Sequence, residues 1–239
     1  MSSDAADGVL GVDTATGDVA VALTRGGELV FETSVAADAG GRPRHSERLL
    51  AEIEAAAEAG GGWQRVGLIA VGIGPGTFTG LRVGIATVRS VAQARGLAVA
   101  PVGSLAALAR GISPGADPRR PRLAAIDARR RQLFAGLFGQ GGEELEEPFV
   151  AGPEELGPRL AGHGGAAVAA GDGSLRFRVQ LEAVGVEVLP DADPAHRMAA
   201  RHVCALAAEV KPGPPEAATP MYLRKPDAEL WREQRDRNT

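Results

Sequence analysis

Three glycine-bearing turns hold the residues of this sequence that could do chemistry. Asp13-Thr14-Ala15-Thr16-Gly17 ends an apolar run, GIGPGTFTG fills 72–80, and GDGS fills 171–174. Carboxylate and hydroxyl groups beside glycine suit a phosphate or Mg2+ site, because backbone N–H groups approach an anion closely where no Cβ intervenes. A glycine turn that feeds a helix adds the positive end of the helix dipole. Glycine is delayed to position 17 in the first turn, so Asp13, Thr14 and Thr16 suit at most a weakened, vestigial nucleotide site, with Gly171 and Gly173 as the candidates of the second half. Turn chemistry competes with this reading: Asp and Thr side chains close hairpins by bonding nearby backbone, which alone accounts for each of these residues. GIGPGTFTG also lacks the Lys-Ser/Thr ending of a P-loop. It reads better as a tight turn that launches a helix.

Other chemistry is thinly represented. Cys204 is the single cysteine, which excludes an intramolecular disulfide and a cysteine metal cluster. His45, His163, His196 and His202 include no i,i+4 pair, so no metal site and no catalytic residue is assigned. The 26 basic and 30 acidic residues give a net charge of −4, which argues against autonomous nucleic-acid binding. Only Lys211 and Lys225 among the basic residues are lysines. The polar start MSSDAADG is unlike a signal peptide, and no 18-residue apolar run is present to span a membrane. A cytoplasmic protein is expected. With 44% hydrophobic but only 4% aromatic residues, Ala, Val and Leu must build the core as close-packed helix and sheet layers.

The elements that would position these turns follow from periodicity. Apolar strands are expected at 9–13 and 19–23 and over LVFETSVA, joined by glycine turns. A helix over 46–60 is expected next, with Ser46 as N-cap and Leu49, Leu50, Ile53, Ala56 and Ala57 on one stripe. VGLIAVGI, a helix over about 80–95 and LAVAPV complete a β-β-β-α-β-α-β order. The second half repeats it: RLAAID ends in Asp127 as VLGVD ends in Asp13, and AVAAGDGS aligns with AVGIGPGT. A duplicated unit implies an α/β fold of two ribonuclease H-like lobes across a cleft, the architecture of the actin, Hsp70 and sugar kinase superfamily. The boundary is placed at 103, giving lobes at 1–103 and 104–239. A helix over 193–209 is expected near the end, with Met198, Ala199, Val203, Leu206 and Ala207 on its apolar side and Cys204 as a small core residue.

The helix after GIGPGTFTG is apolar nearly all round, with one stripe of Leu81, Ile85, Val88 and Ala92 and another of Val83, Thr87, Val91 and Ala94. One face can lie on its own sheet; the other needs cover. Gly84, Ala86 and Ser90 are small enough for close helix approach. A partner bringing an equivalent helix pair would complete a four-helix bundle. The partner-binding residues assigned are His45, Leu49, Leu50, Ile53, Leu81, Gly84, Ile85 and Val88.

Taken in order, VLGVDTATGDVAVAL, HSERLL, GIGPGTFTGLRVGIA, LAAIDARR and PMYLR resemble the TsaB family over nearly the whole chain. These are dimerisation subunits of the bacterial machinery that makes threonylcarbamoyladenosine beside the anticodon of certain tRNAs. The resemblance implies a non-catalytic activating subunit that pairs with a TsaD-like catalytic subunit and cooperates with a TsaE-like ATPase. It also implies a homodimer when that partner is absent, tRNA contact only through the complex, and no membrane. The catalytic relative carries a metal-binding His-x-x-x-His after the strand equivalent to LAVAPV; here Ser104 and Leu108 stand in those places, and they cannot replace two imidazoles. No firmly bound cofactor is expected, and a weak or interface ATP/ADP site stays open. Arg129, Arg130 and Arg131 suit a phosphate of tRNA or nucleotide, but a short charge run at a hairpin tip is read first as solvated. Two alternatives remain. One is a superfamily ATPase or sugar kinase with its own nucleotide site; the other, a peptidase, finds no Ser/His/Asp or metal constellation to carry hydrolysis.

Overall fold

The computed structural model describes residues 6–162 and 167–224; His163, Lys225 and Trp231 lie outside them. The first half runs β1 (Gly8–Asp13), β2 (Val19–Arg25), β3 (Glu28–Val35), α1 (His45–Ala59), β4 (Val66–Gly72), α2 (Phe78–Arg95), β5 (Ala98–Val102) and α3 (Ser104–Arg110). The second runs β6 (Arg122–Arg129), β7 (Gln132–Phe138), β8 (Glu144–Ala151), α4 (Leu156–Ala161), β9 (Val168–Ala170), α5 (Asp172–Arg176), α6 (Arg178–Ala183), β10 (Glu187–Val188) and α7 (Ala200–Leu206). The strand orders are β3-β2-β1-β4-β5 and β10-β9-β6-β7-β8. In each sheet three antiparallel strands continue into two parallel ones. Both halves thus carry the duplicated ribonuclease H-like order expected from the sequence. Among the described residues no helix is long and apolar enough to cross a membrane.

Alternation along the strands sorts the layers. On β7, Leu133, Ala135 and Leu137 join the cluster with Leu156, Leu160 and Leu181 of α4 and α6. Phe134 and Phe138, a residue out of step, join the main core with Leu105 and Leu108 of α3. In the first lobe α1 and α2 cover one face of the sheet and α7 covers the other. Helices α3 and α7 pack on each other between the two sheets. The small residues matter here: a Cβ on Gly11 of β1 would fall 2.6 Å from Cys204 Sγ and 2.7 Å from the Ala200 carbonyl. Cys204, whose thiol is pushed up to about 11 by burial, is a packing residue, as its place on the apolar side predicts.

The end of the chain completes the first sheet. Val99 of β5 exchanges both backbone hydrogen bonds with Gly213 at 2.9 Å, and Met221 N–H donates to the Ile73 carbonyl at 2.7 Å. Residues far beyond 103 therefore cover both a face and an edge of the first lobe.

Two local expectations need correction. Ser46 is not the N-cap of α1: the helix starts at His45, Arg44 holds the cap position, and no side chain caps it. Tertiary contact decides this, since the buried His45 ring is fixed by the Asp18 carbonyl (3.2 Å). The helix over 193–209 is also interrupted. Pro194–His196 is a single 3-10 turn capped by Asp193, Arg197 and Ala199 are extended, and α7 begins only at Ala200. His196 is held away from the helix by bonds to another loop.

Candidate functional site

The first aspartate turn is closed on itself. Asp13 ends β1 almost wholly buried; its Oδ1 accepts from Ala15 N–H (2.7 Å), and its Oδ2 accepts from the Ser104 hydroxyl (2.6 Å). Ser104 Oγ accepts in turn from Gly74 N–H (3.1 Å). One hydroxyl thus ties together the β1–β2 turn, the loop before α2 and the start of α3. Burial pushes the Asp13 carboxyl up to about 6 against the two hydrogen bonds that favour its charge. Thr14 donates to the Gly80 carbonyl (2.9 Å), and the Ala15 carbonyl accepts from Thr77 N–H (2.7 Å). Thr16 Oγ1 accepts from Asp18 N–H (3.2 Å).

The glycines of GIGPGTFTG make this closure possible. A Cβ would fall 2.4 Å from the Ala15 carbonyl at Gly76, 2.1 Å from the Thr14 carbonyl at Gly80, and 2.0 Å from Thr14 Oγ1 at Gly84. The chain's own β1–β2 turn therefore lies directly against these glycines. Asp13, Thr14 and Thr16 serve that turn with the side-chain-to-backbone bonds that turn chemistry predicts.

The second aspartate turn is built differently. Asp127, with its side chain 9% exposed, is paired with Arg176 (2.5 Å) and Arg129 (3.3 Å), while its own N–H donates to Asp172 Oδ1 (3.0 Å). Burial, helped by the Asp127 charge, raises the Asp172 carboxyl above the usual range. Gly171 takes φ +110, with its N–H donating to His196 Nδ1 (3.2 Å). His196 Nε2 then donates to the Leu189 and Pro190 carbonyls, both at 3.1 Å, which fixes its tautomer. Gly171 and Gly173 lie against β6, where a Cβ would fall 2.0 Å from the Ala125 carbonyl and 2.8 Å from the Ile126 carbonyl carbon. The nucleotide candidates of the two halves therefore bond within their own neighbourhoods, and no hydrogen bond joins one set to the other. Among the described residues no group of three His, Cys, Asp or Glu is placed to hold a metal ion.

The paired helices α1 and α2 form the remaining candidate site, and burial redraws it. Of the eight residues assigned to partner binding, only Leu50 is exposed, at 55%. Leu49, Ile53, Leu81, Gly84, Ile85 and Val88 face inward, and His45 is buried beneath the β1–β2 turn with burial holding its imidazole below the ordinary range. The correction has a simple physical reason. Gly80 and Gly84, one helical turn apart, allow the chain's own Thr14 to approach, so the stripe that contains them is the inner one. The outer surface is instead Leu50, Ala51 and Ala55 of α1 with Val83, Ala86, Thr87 and Ser90 of α2, exposed or half-buried. Val83 and Thr87 belong to the second apolar stripe legible in the sequence. The signal that could have chosen between the stripes was the Gly80/Gly84 pair. At its far end α2 stops where Gly96 turns left-handed (φ +67) and Leu97 N–H reaches back to the Ala92 carbonyl (2.9 Å).

A family model described as TsaD, tRNA N6-adenosine threonylcarbamoyltransferase, matches residues 36–169. The TsaB tRNA threonylcarbamoyladenosine biosynthesis protein of Escherichia coli is 31% identical over 227 residues, covering 90% of this chain and 94% of that protein. An uncharacterised protein of Mycobacterium tuberculosis is 32% identical over 223 residues, covering 92% and 93%. The solved structure of YeaZ from Pseudomonas aeruginosa superposes with a TM-score of 0.71 at 26% identity, covering 91% of this chain and all of that one. Sequence motifs, duplicated lobes and near full-length similarity agree: the chain belongs to the TsaB family of tRNA threonylcarbamoyladenosine biosynthesis proteins.

Proposed function

We propose that this chain is a non-catalytic subunit for threonylcarbamoyl transfer to the adenosine beside the tRNA anticodon, acting by pairing with a TsaD-like catalytic subunit. The observation that carries this reading is the outer face of α1 and α2. Leu50, Ala51, Ala55, Val83, Ala86, Thr87 and Ser90 present a weakly polar, small-residue surface that is exposed or half-buried among the described residues. Such a surface suits a second helix pair packed at close range. Pairing there would fix the partner's helices and lobe angle, a shift of population rather than added chemistry. A second copy of this chain would use the same face, so homodimer and heterodimer exclude each other. A TsaE-like ATPase joins the assembled pair, and tRNA is engaged by the complex. Any ATP or ADP contact belongs to that interface, since the first aspartate turn is filled by its own side chains. The same filling argues against an independent ATPase or sugar kinase.

Co-expression with the catalytic subunit, followed by sizing and assay of modified tRNA, tests this reading. Ala86→Arg places a charge in the middle of the outer face and should weaken pairing about 100-fold, with a parallel loss of modification. Circular dichroism should stay unchanged, because Ala86 is exposed. Intact pairing and modification in Ala86→Arg would show the face is wrong.

A further inference from the structure

The turn joining β6 to β7 is unusual in both backbone and side chains. Arg129 pairs with Gln132 across the ladder, leaving Arg130 and Arg131 as a two-residue turn. All three arginines have positive φ, at 61°, 52° and 60°. Two-residue hairpin turns of this hand are the usual province of Asn-Gly, because a Cβ strains the left-handed conformation. Three successive residues held there, none of them glycine, are a local cost of the kind retained at functional sites. The side chains carried at that cost are all guanidinium groups.

The surroundings make the turn a concentrated positive site on a chain of net charge −4. Arg176 stands beside it through the shared Asp127, which is paired with both Arg129 and Arg176. Asp172, at the same end, is exposed but spends an oxygen on Asp127 N–H, and its carboxyl is held above the usual range. The acidic stretch of the same sheet lies at the opposite end: Glu144 and Glu146 on β8 pair with Phe138 and Leu137 of β7, whereas β8 meets the turn end through Ala151 and Leu133. Along the chain's C-terminal segment the surface continues. Arg224 donates to Gln132 Oε1 (3.1 Å), and Tyr222 lies against Phe78 with ring centroids 5.1 Å apart. Both rings are exposed. Guanidinium groups in a row suit the phosphates of a nucleic-acid backbone, which take their planar N–H forks in pairs.

We propose that the β6–β7 turn, residues 129–131, with Arg176 beside it, is a contact through which this chain itself grips the phosphodiester backbone of RNA. The inference rests on the tRNA-modifying role proposed above, but residues 129–131 and Arg176 lie on neither α1 nor α2, so the two can fail separately.

The test compares the full chain, alone and co-purified with its catalytic partner, with the double variant Arg130→Asn/Arg131→Gly. Fluorescence anisotropy with labelled tRNA is read between 50 and 200 mM salt. The Asn-Gly turn suits the backbone, so folding is expected to survive; Arg130→Lys/Arg131→Lys keeps the charge and serves as a second variant. Removing two phosphate contacts should weaken tRNA binding about 10- to 100-fold at low salt and flatten the salt slope by about 2; the lysine variant should keep the slope. Separate arms use ATP and pyrophosphate in calorimetry, and sizing with the catalytic subunit. Four results would each overturn the proposal: unchanged tRNA affinity and slope, no tRNA binding by the chain or the complex, a loss confined to ATP or pyrophosphate, or a loss confined to protein pairing. Failed pairing with retained, turn-dependent tRNA binding would instead count against the pairing role alone.

Discussion

Asp13 and Asp127 occupy equivalent places at the ends of β1 and β6, yet their surroundings are opposite in kind. Asp13 is enclosed by neutral donors, Ser104 Oγ and Ala15 N–H, under a turn that presses into the glycines of α2. Asp127 is held by two guanidinium groups, and its turn projects outward. The long helix α2, 18 residues, stands in the first lobe where the second has only the short α5 and α6. In the first lobe the turn after β1 is internal structure that seats a helix; in the second the turn after β6 faces outward. Function on a shared fold is set by such loops, not by the sheets beneath them.

Three measurements press on this contrast, in order of expected size. Gly80→Ala forces a Cβ to within 2.1 Å of the Thr14 carbonyl, a backbone atom that cannot swing aside. It should cost about 3 kcal/mol or more, read as a fall in the urea midpoint. A near-neutral result would mean that the first turn is loose, and the contrast would fail.

The second concerns Asp13 and pH. Its folded value near 6 stands above its ordinary 3.8, so between those values the folded state holds the extra proton. The stability it contributes is fully present below about pH 4 and is lost as pH rises through 6. The loss is about 3 kcal/mol at most. Asp13→Asn should remove this slope, and the difference between wild-type and variant urea stability from pH 4 to 7 isolates it. Parallel curves for the two proteins would show that Asp13 is not desolvated.

Smallest is the exposed turn. Arg130→Asn/Arg131→Gly relieves two left-handed residues and should stabilise the chain by about 1–2 kcal/mol. Thermal unfolding would reveal it as a higher midpoint. A destabilised variant would mean that these arginines support the fold, and the second turn would then be as structural as the first.

Much of this was legible in the sequence, and the exceptions share a cause. Strands and turns were readable because apolar alternation and glycine act locally: VLGVD, VAVAL and RLAAID all became the strands they predict. The inner and outer stripes of α2 were both visible too. Which one faced a partner depended on where Thr14 would lie, a contact between residues 14 and 84 that no local pattern records. Ser46 looked like an N-cap, but His45 is held by Asp18 and moves the helix start. The Ser104 bond to Asp13 spans 91 residues and left no trace beyond the serine's standing in a place where a metal ligand was absent. Arg129, Arg130 and Arg131 were visible as a charge run; their left-handed backbone was not, since nothing in Arg-Arg-Arg prefers it.

The return of α7 to β1 sets a timetable for the ribosome. Gly11 leaves the exit tunnel long before the helix that packs on it through Ala200 and Cys204. At roughly 5–20 residues per second, the first sheet, complete at Val102, waits about 5–20 seconds for Ala200 with one apolar face bare. Nascent chains stalled before residue 200 should therefore be clients of chaperones, however complete their strands. Those released with α7 exposed to the sheet should close without them. The second lobe, whose outer helices follow its strands at once, carries no such delay.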